Sequence, residues 1–171
     1  MLGAQVALGL VATPLQALVH GQGTAWRISA AALKSELGKN TRLQRRLNRY
    51  VYVLMAQLGW SAACLHFHMI GTRVARWLLM TQDRAHVDVF PVTHEFIANM
   101  LGVRRGGVTE AAGALQRDGL ITYRRGEVKV LDRAGLEGAA CSCYHAERET
   151  YSEMLWSVSG GQPSKLRMLF R

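Results

Sequence analysis

The 171-residue chain is 49% hydrophobic and carries 21 lysines and arginines against 12 aspartates and glutamates, a formal charge of +9. That apolar content is enough to bury the core of one or two small domains and excludes a wholly disordered chain, while the charge favours a polyanionic partner over a cationic one. Its three cysteines, an odd number without framework spacing, point to reduced thiols in a cytoplasm rather than to an exported, cross-linked domain.

Met1–Val19 is apolar, but it lacks the basic start of an export signal and is interrupted at Thr13-Pro14, so it is read as strands followed by a short helix that Ser29 caps and that runs to Leu37. Residues 40–68 read as one long helix. Within it begins Val51–Gly71, a stretch without Asp, Glu, Lys or Arg that is long enough to span a bilayer. Against a span, Gln57, Ser61, Cys64 and His68 recur at i, i+4, i+7 and i+11, a small and polar stripe that a lipid-facing helix has no reason to carry, and no membrane partner is expected. Leu47, Val51, Leu54, Leu58 and Leu65 form a near-heptad apolar face, which predicts pairing with a second copy. Gly71-Thr72 is a hinge candidate before a helix over Arg73–Gln82.

The most informative stretch is Thr93–Ile121. Thr93 is a good N-cap, and Phe96, Ile97 and Met100/Leu101 place one apolar face on a short helix. Gly102 supplies a turn. Val108, Ala111, Ala112 and Leu115 then repeat at i, i+3, i+4 and i+7, with Arg104, Arg105, Thr109, Glu110 and Gln116 on the opposite face. A helix with a small apolar back and two arginines at its exposed start suits a DNA major groove, where arginine pairs with guanine O6 and N7. Two β-prone runs follow, Leu120–Tyr123 and Val128–Leu131, separated by Arg124-Arg125-Gly126-Glu127. The whole reads as a winged helix, with Arg124, Arg125 and Lys129 placed to reach phosphates. Asp132 is a plausible cap for a further helix through Leu136, Ala140 and Tyr144; Ser157–Ser164 reads as a flexible link to a basic end, Lys165–Arg171.

In their order and spacing these pieces resemble the bacterial Crp/Fnr transcription regulators. Gly23–Ile28, the long helix from Asn40 to His68, Gly71–Leu79, the Thr93–Ile121 pair and the wing ending Leu131-Asp132-Arg133 carry the likeness, and Cys141-Ser142-Cys143-Tyr144 resembles the tail of one subgroup. The resemblance implies an α+β, mostly α chain: a remnant of a cyclic-nucleotide-binding-like β-barrel sensor over 1–39, a long dimerisation helix over 40–70, a C-terminal winged helix-turn-helix over 71–151 and a flexible basic tail over 152–171. A complete barrel of that type takes roughly a hundred residues, more than 37 residues supply as strands, so the sensor is read as truncated. Thr13-Pro14 stands where cyclic-nucleotide-binding members place a cationic phosphate ligand, so cyclic nucleotide is not expected.

The DNA-facing set that follows is Thr93, His94, Arg104, Arg105, Gly107, Thr109, Glu110, Arg124, Arg125 and Lys129. By the resemblance, Arg105 aligns with the family's base-reading arginine and Arg104 serves phosphate. Gly106 stands where many members have a base-accepting glutamate, and Glu110 where many have a second arginine. The expected partners are double-stranded DNA and a second copy, with RNA polymerase added by the resemblance. The alternative is an interaction module that pairs with a full-length relative through the long helix. No phosphate-binding glycine loop, nucleophile elbow or paired-histidine zinc motif occurs, and no catalytic residue, cofactor or metal is assigned. Three cysteines are too few for an iron–sulfur cluster; Cys64 and His68 share a helix face but would need a partner copy to make four ligands, and Cys141 and Cys143 are read as structural.

Overall fold

The computed structural model describes residues 1–19 and 23–155; the expected link and basic end at Ser157–Ser164 and Lys165–Arg171 lie outside the described residues. The chain divides into two compact units, Met1–Gln57 with Arg148–Arg171, and Leu58–Glu147.

In the first unit, helix α1 (Ala30–Lys39) starts where Ser29 Oγ accepts from the Ala32 amide at 3.2 Å, as the sequence predicts. Asn40 ends it and opens the long helix α2 (Thr41–Phe67), its Oδ1 accepting from the Leu43 amide at 2.9 Å. Two residues shorter than expected, α2 continues into the second unit. No helix among the described residues is long and apolar enough to cross a membrane. The strands expected in Met1–Val19 are not there: Ala4–Leu8 is a single 3-10 turn, and no strand occurs among the described residues before α1. A strand is held by its ladder, and an apolar stretch without a paired neighbour gains nothing from extension. Val6 packs on Leu33 and Leu37 instead, with Leu43 and Leu47 at the edge of this small cluster.

The second unit contains α3 (Ile70–Ala85), α4 (His94–Leu101), α5 (Arg105–Arg117), α6 (Arg133–Ala139) and a three-stranded antiparallel sheet. Gly71 and Thr72 do not lie at the break between the helices. They form the first turn of α3, where Thr72 Oγ1 donates to the Met69 carbonyl, and the chain breaks instead at His68-Met69. Strands β2 (Ile121–Arg124) and β3 (Glu127–Val130) make the expected hairpin. Arg125 and Gly126 close it at φ 52° and 79°, the two positive values that a twist-matched two-residue turn requires. β1 (Val89–Pro91), which the sequence does not announce, pairs with the far side of β3, giving the order β1-β3-β2.

One core joins these elements: Val74, Leu78 and Leu79 of α3, Ile97 of α4, Val108 and Leu115 of α5, Ile121 and Val128 of the sheet, and Leu136 beyond it. The predicted back of the second helix, Val108, Ala111, Ala112 and Leu115, is buried throughout. Of the first helix's expected face, Ile97 is buried, Phe96 and Leu101 are half-buried, and Met100 is exposed because Ala98 takes the inner position. Polar contacts reinforce the packing. Arg133 reaches Gln82, Asp83, Glu137 and the Tyr144 hydroxyl, and Arg76 donates to Glu147 at 2.7 Å in a buried ion pair. Asp132 caps α6 as expected, but the helix does not run on to Tyr144: Ala140 turns extended (ψ 157°), and α7 (Cys143–Leu155) begins after the break. Cys64, Cys141 and Cys143 are buried together there, against Trp60.

Candidate nucleic-acid interface

The site is built around the start of α5. Thr93 Oγ1 accepts from the Phe96 amide at 3.1 Å and fixes the entry of α4. Gly102, at φ 61°, ends α4 in the left-handed region, and its amide returns to the Asn99 carbonyl. The buried Arg73 of α3 donates to the Leu101 carbonyl, satisfying one of the orphan acceptors at that helix end. The turn between α4 and α5 is thus held by backbone geometry and one buried guanidinium, and α5 leaves it with Arg104 as N-cap.

On the outer face, Arg104, Arg105, Thr109 and Glu110 are exposed, as are Thr93, Arg124, Arg125 and Lys129; His94 and Gly107 are half-buried. The positive dipole end of α5 and these cations make a positive surface suited to phosphate and to base-edge acceptors. Gly107 differs from its neighbour. A Cβ there would lie 2.9 Å from Ile70 Cδ1, whereas one on Gly106 would meet nothing within 4 Å. Gly107 therefore serves the close crossing of α5 on α3, and Gly106 leaves the outer face of α5 bare.

His94 is the joint of the site. Its Nδ1 lies 3.0 Å from Thr109 Oγ1, which in turn donates to the Arg105 carbonyl at 3.1 Å, and its ring stacks on Tyr123 with centroids 4.2 Å apart. Burial, and then the Arg105 charge, push its pKa below the ordinary 6.5, which favours the neutral ring; Nε2 is buried without a partner among the described residues. Tyr123 completes the frame: its amide donates to Gln116 Oε1 at 2.8 Å and its hydroxyl to the Val92 carbonyl at 2.9 Å. One residue, through its backbone amide and its hydroxyl, therefore ties α5, the wing and the segment before α4 together. Nothing in the sequence singled out Tyr123 as more than a strand residue, because its partners lie 7 and 31 positions away.

Residues 72–139 match the family model of the Crp-like helix-turn-helix domain. Those residues fold as a winged helix-turn-helix similar to that domain. Two solved structures resemble it: a Crp/Fnr-family transcriptional regulator from Eubacterium rectale, 28% identical over 67% of this chain and 53% of that one with a TM-score of 0.48, and the catabolite activator protein of Thermus thermophilus, 26% identical over 65% and 46% with a TM-score of 0.39. The chain thus spans about half the length of these structures. No curated protein matches it.

Proposed function

We propose that the chain is a sequence-specific DNA-binding transcription regulator that grips an inverted-repeat operator as a homodimer. The carrying observation is the exposed Arg104-Arg105-Thr109 surface of α5 beside the basic hairpin tip Arg124-Arg125, all on a Crp-like helix-turn-helix. In this reading α5 enters the major groove, Arg105 reads a base through a bidentate contact, and Arg104, Arg124, Arg125 and Lys129 neutralise phosphates. His94 and Tyr123 do not read bases; between them they hold α5, through Thr109, and the wing at a fixed spacing.

Pairing rests on α2. Leu58 and Leu65 of the heptad face are 70% and 54% exposed in the single chain, while Leu47, Val51 and Leu54 are half-buried. Two copies joined along this face would set their recognition helices in successive major grooves, roughly 34 Å apart. Selection of bound duplexes from a random pool tests the proposal. The expected result is a two-fold symmetric motif whose half-sites lie about one helical turn apart, bound far more tightly than competitor DNA. Enrichment of no motif, or binding that competitor removes entirely, would overturn it.

A further inference from the structure

Cys64, at the end of α2, His68, just beyond it, and Cys141 and Cys143, at the α6–α7 break, bring their ligand atoms within 4.8 Å of one another. Cys64 Sγ lies 3.5 Å from Cys141 Sγ, and Cys143 Sγ lies 3.5 Å from His68 Nδ1. With Zn–S bonds of about 2.3 Å and a Zn–N bond of about 2.0 Å, a tetrahedron has S···S edges of about 3.8 Å and S···N edges of about 3.5 Å, so each measured edge falls within a few tenths of an ångström of its expected length. The three cysteines are 2%, 5% and 2% exposed, and His68 is half-buried at the rim. From this geometry we infer that the Cys64, His68, Cys141 and Cys143 cluster is a structural zinc site, closed by three thiolates and one imidazole of a single chain.

Donor chemistry selects the ion. Three thiolates with one imidazole suit a borderline-soft, tetrahedral cation and leave no oxygen ligand for magnesium or calcium. Four ligand atoms so close together enclose one centre, not a multi-iron cluster whose thiolates must spread over several metals. On binding, each of the three thiols releases its proton to solvent, and the ion with its thiolates carries one net negative charge. Arg76 faces that charge. It is 7% exposed, its guanidinium interacts electrostatically with Cys64 and Cys141 as well as with Glu147, and its Nε is a buried donor without an acceptor among the described residues. A thiolate sulfur held by a metal would offer this donor an acceptor, and such an outer partner is what metal-bound ligands ordinarily have.

The chain's own economy of structure agrees. The α6–α7 break falls at Ala140–Ser142, where no glycine or proline requires it, and its result is to turn Cys141 and Cys143 toward the last turn of α2. A metal there would tie residue 68 to residue 141 across the whole helix-turn-helix and wing, a constraint whose worth grows with the length of chain it closes.

The test uses the full chain, purified without chelator and dialysed against zinc chloride. Elemental analysis is expected to give one zinc per chain, and cobalt replacement to give the intense visible bands and sulfur-to-metal charge transfer of a tetrahedral thiolate site. Alkylation is expected to spare all three cysteines until a chelator is added, with a fall in melting temperature on chelation. Cys141→Ser, Cys143→Ser and His68→Gln are each expected to lose the stoichiometric metal, whereas His66→Gln, whose ring is exposed outside the cluster, is expected to keep it. Wild-type chain that stays at background zinc, a Cys64–Cys141 disulfide in the purified protein, one zinc per two chains, or zinc retained by Cys141→Ser would each overturn the assignment. The wild-type cobalt spectrum decides the matter even if a cysteine variant fails to fold.

Discussion

The two units bury their apolar residues on very different terms. In Leu58–Glu147 the sheet and helices α3 to α6 contribute to one core, and Val74, Leu79, Val108 and Leu136 are completely buried. In Met1–Gln57 the cluster around Val6, Leu33 and Leu37 is small, while Leu15, Leu18, Val19 and Trp26 lie open, Trp26 fully so. The difference separates what a sequence can close by itself from what it leaves for something else to cover. The winged helix is complete within consecutive residues; the N-terminal unit carries apolar surface of the kind that marks an interaction site or an aggregation liability.

The largest effect that would sharpen this contrast comes from breaking the buried ion pair. Glu147→Ala takes from the buried, charged Arg76 its carboxylate partner in the second unit, a loss of about 3–5 kcal/mol for a pair whose side chains are 9% and 7% exposed. Leu37→Ala in the first unit falls at the low end of the range for a buried leucine, about 2 kcal/mol, because its cluster is shallow and can collapse. Urea denaturation followed by tryptophan fluorescence and circular dichroism measures both; equal losses would mean that the two units unfold together as one cooperative body.

Next in size is assembly. Leu58→Asp places a carboxylate on a side chain that is 70% exposed in the single chain, so folding of the monomer is expected to survive while a dimer paired along α2 loses several kcal/mol. Light scattering is expected to report a dimeric wild type and a monomeric variant. A variant that remains dimeric would move the interface away from this face of α2.

DNA contacts come third. Arg105→Ala is expected to cost about 1–3 kcal/mol on the selected operator and to relax preference at one base position per half-site. Lys129→Ala is expected to act evenly on all sequences and to shallow the salt dependence by about one unit of slope per protomer. Competition binding at several salt concentrations distinguishes the two, and a uniform loss for Arg105→Ala would remove that side chain from base reading.

The same contrast between the units governs what could be read in advance. The helix-turn-helix was legible because its signals are local: a capping Thr93, a Gly102 that accepts positive φ, and an apolar repeat whose four members are all buried. The wing was legible from two β-prone runs around Arg125-Gly126. β1 was not, since three residues carry no period and its partner β3 lies beyond two helices. Strands were expected in Met1–Val19 from apolar content, which says that a segment wants cover but not which neighbour will pair with it. The α6–α7 break and the meeting of Cys64 and His68 with Cys141 and Cys143 were invisible because the deciding contacts span more than 70 positions.

The smallest expected effect tests His94, the joint between α4, α5 and the wing. Its pKa lies below the ordinary 6.5 because burial, and then the neighbouring Arg105, oppose the imidazolium. The folded state therefore binds this proton less readily than the unfolded chain does, and the unfolded state gains protons first as the pH drops. The contribution of neutral His94 to stability is fully present above about pH 6.5 and is lost progressively as pH falls toward the lower folded value. Melting temperatures of wild type and His94→Gln, compared from about pH 7.5 to about pH 5.5, are expected to converge on acidification, because glutamine has no proton to gain. The stacking on Tyr123 and the contact with Thr109 place this loss at the α5–wing junction, so operator affinity is expected to weaken over the same interval more than non-specific binding does. A wild type whose stability advantage over His94→Gln holds constant across that interval would show that the ring accepts its proton without disturbing the junction.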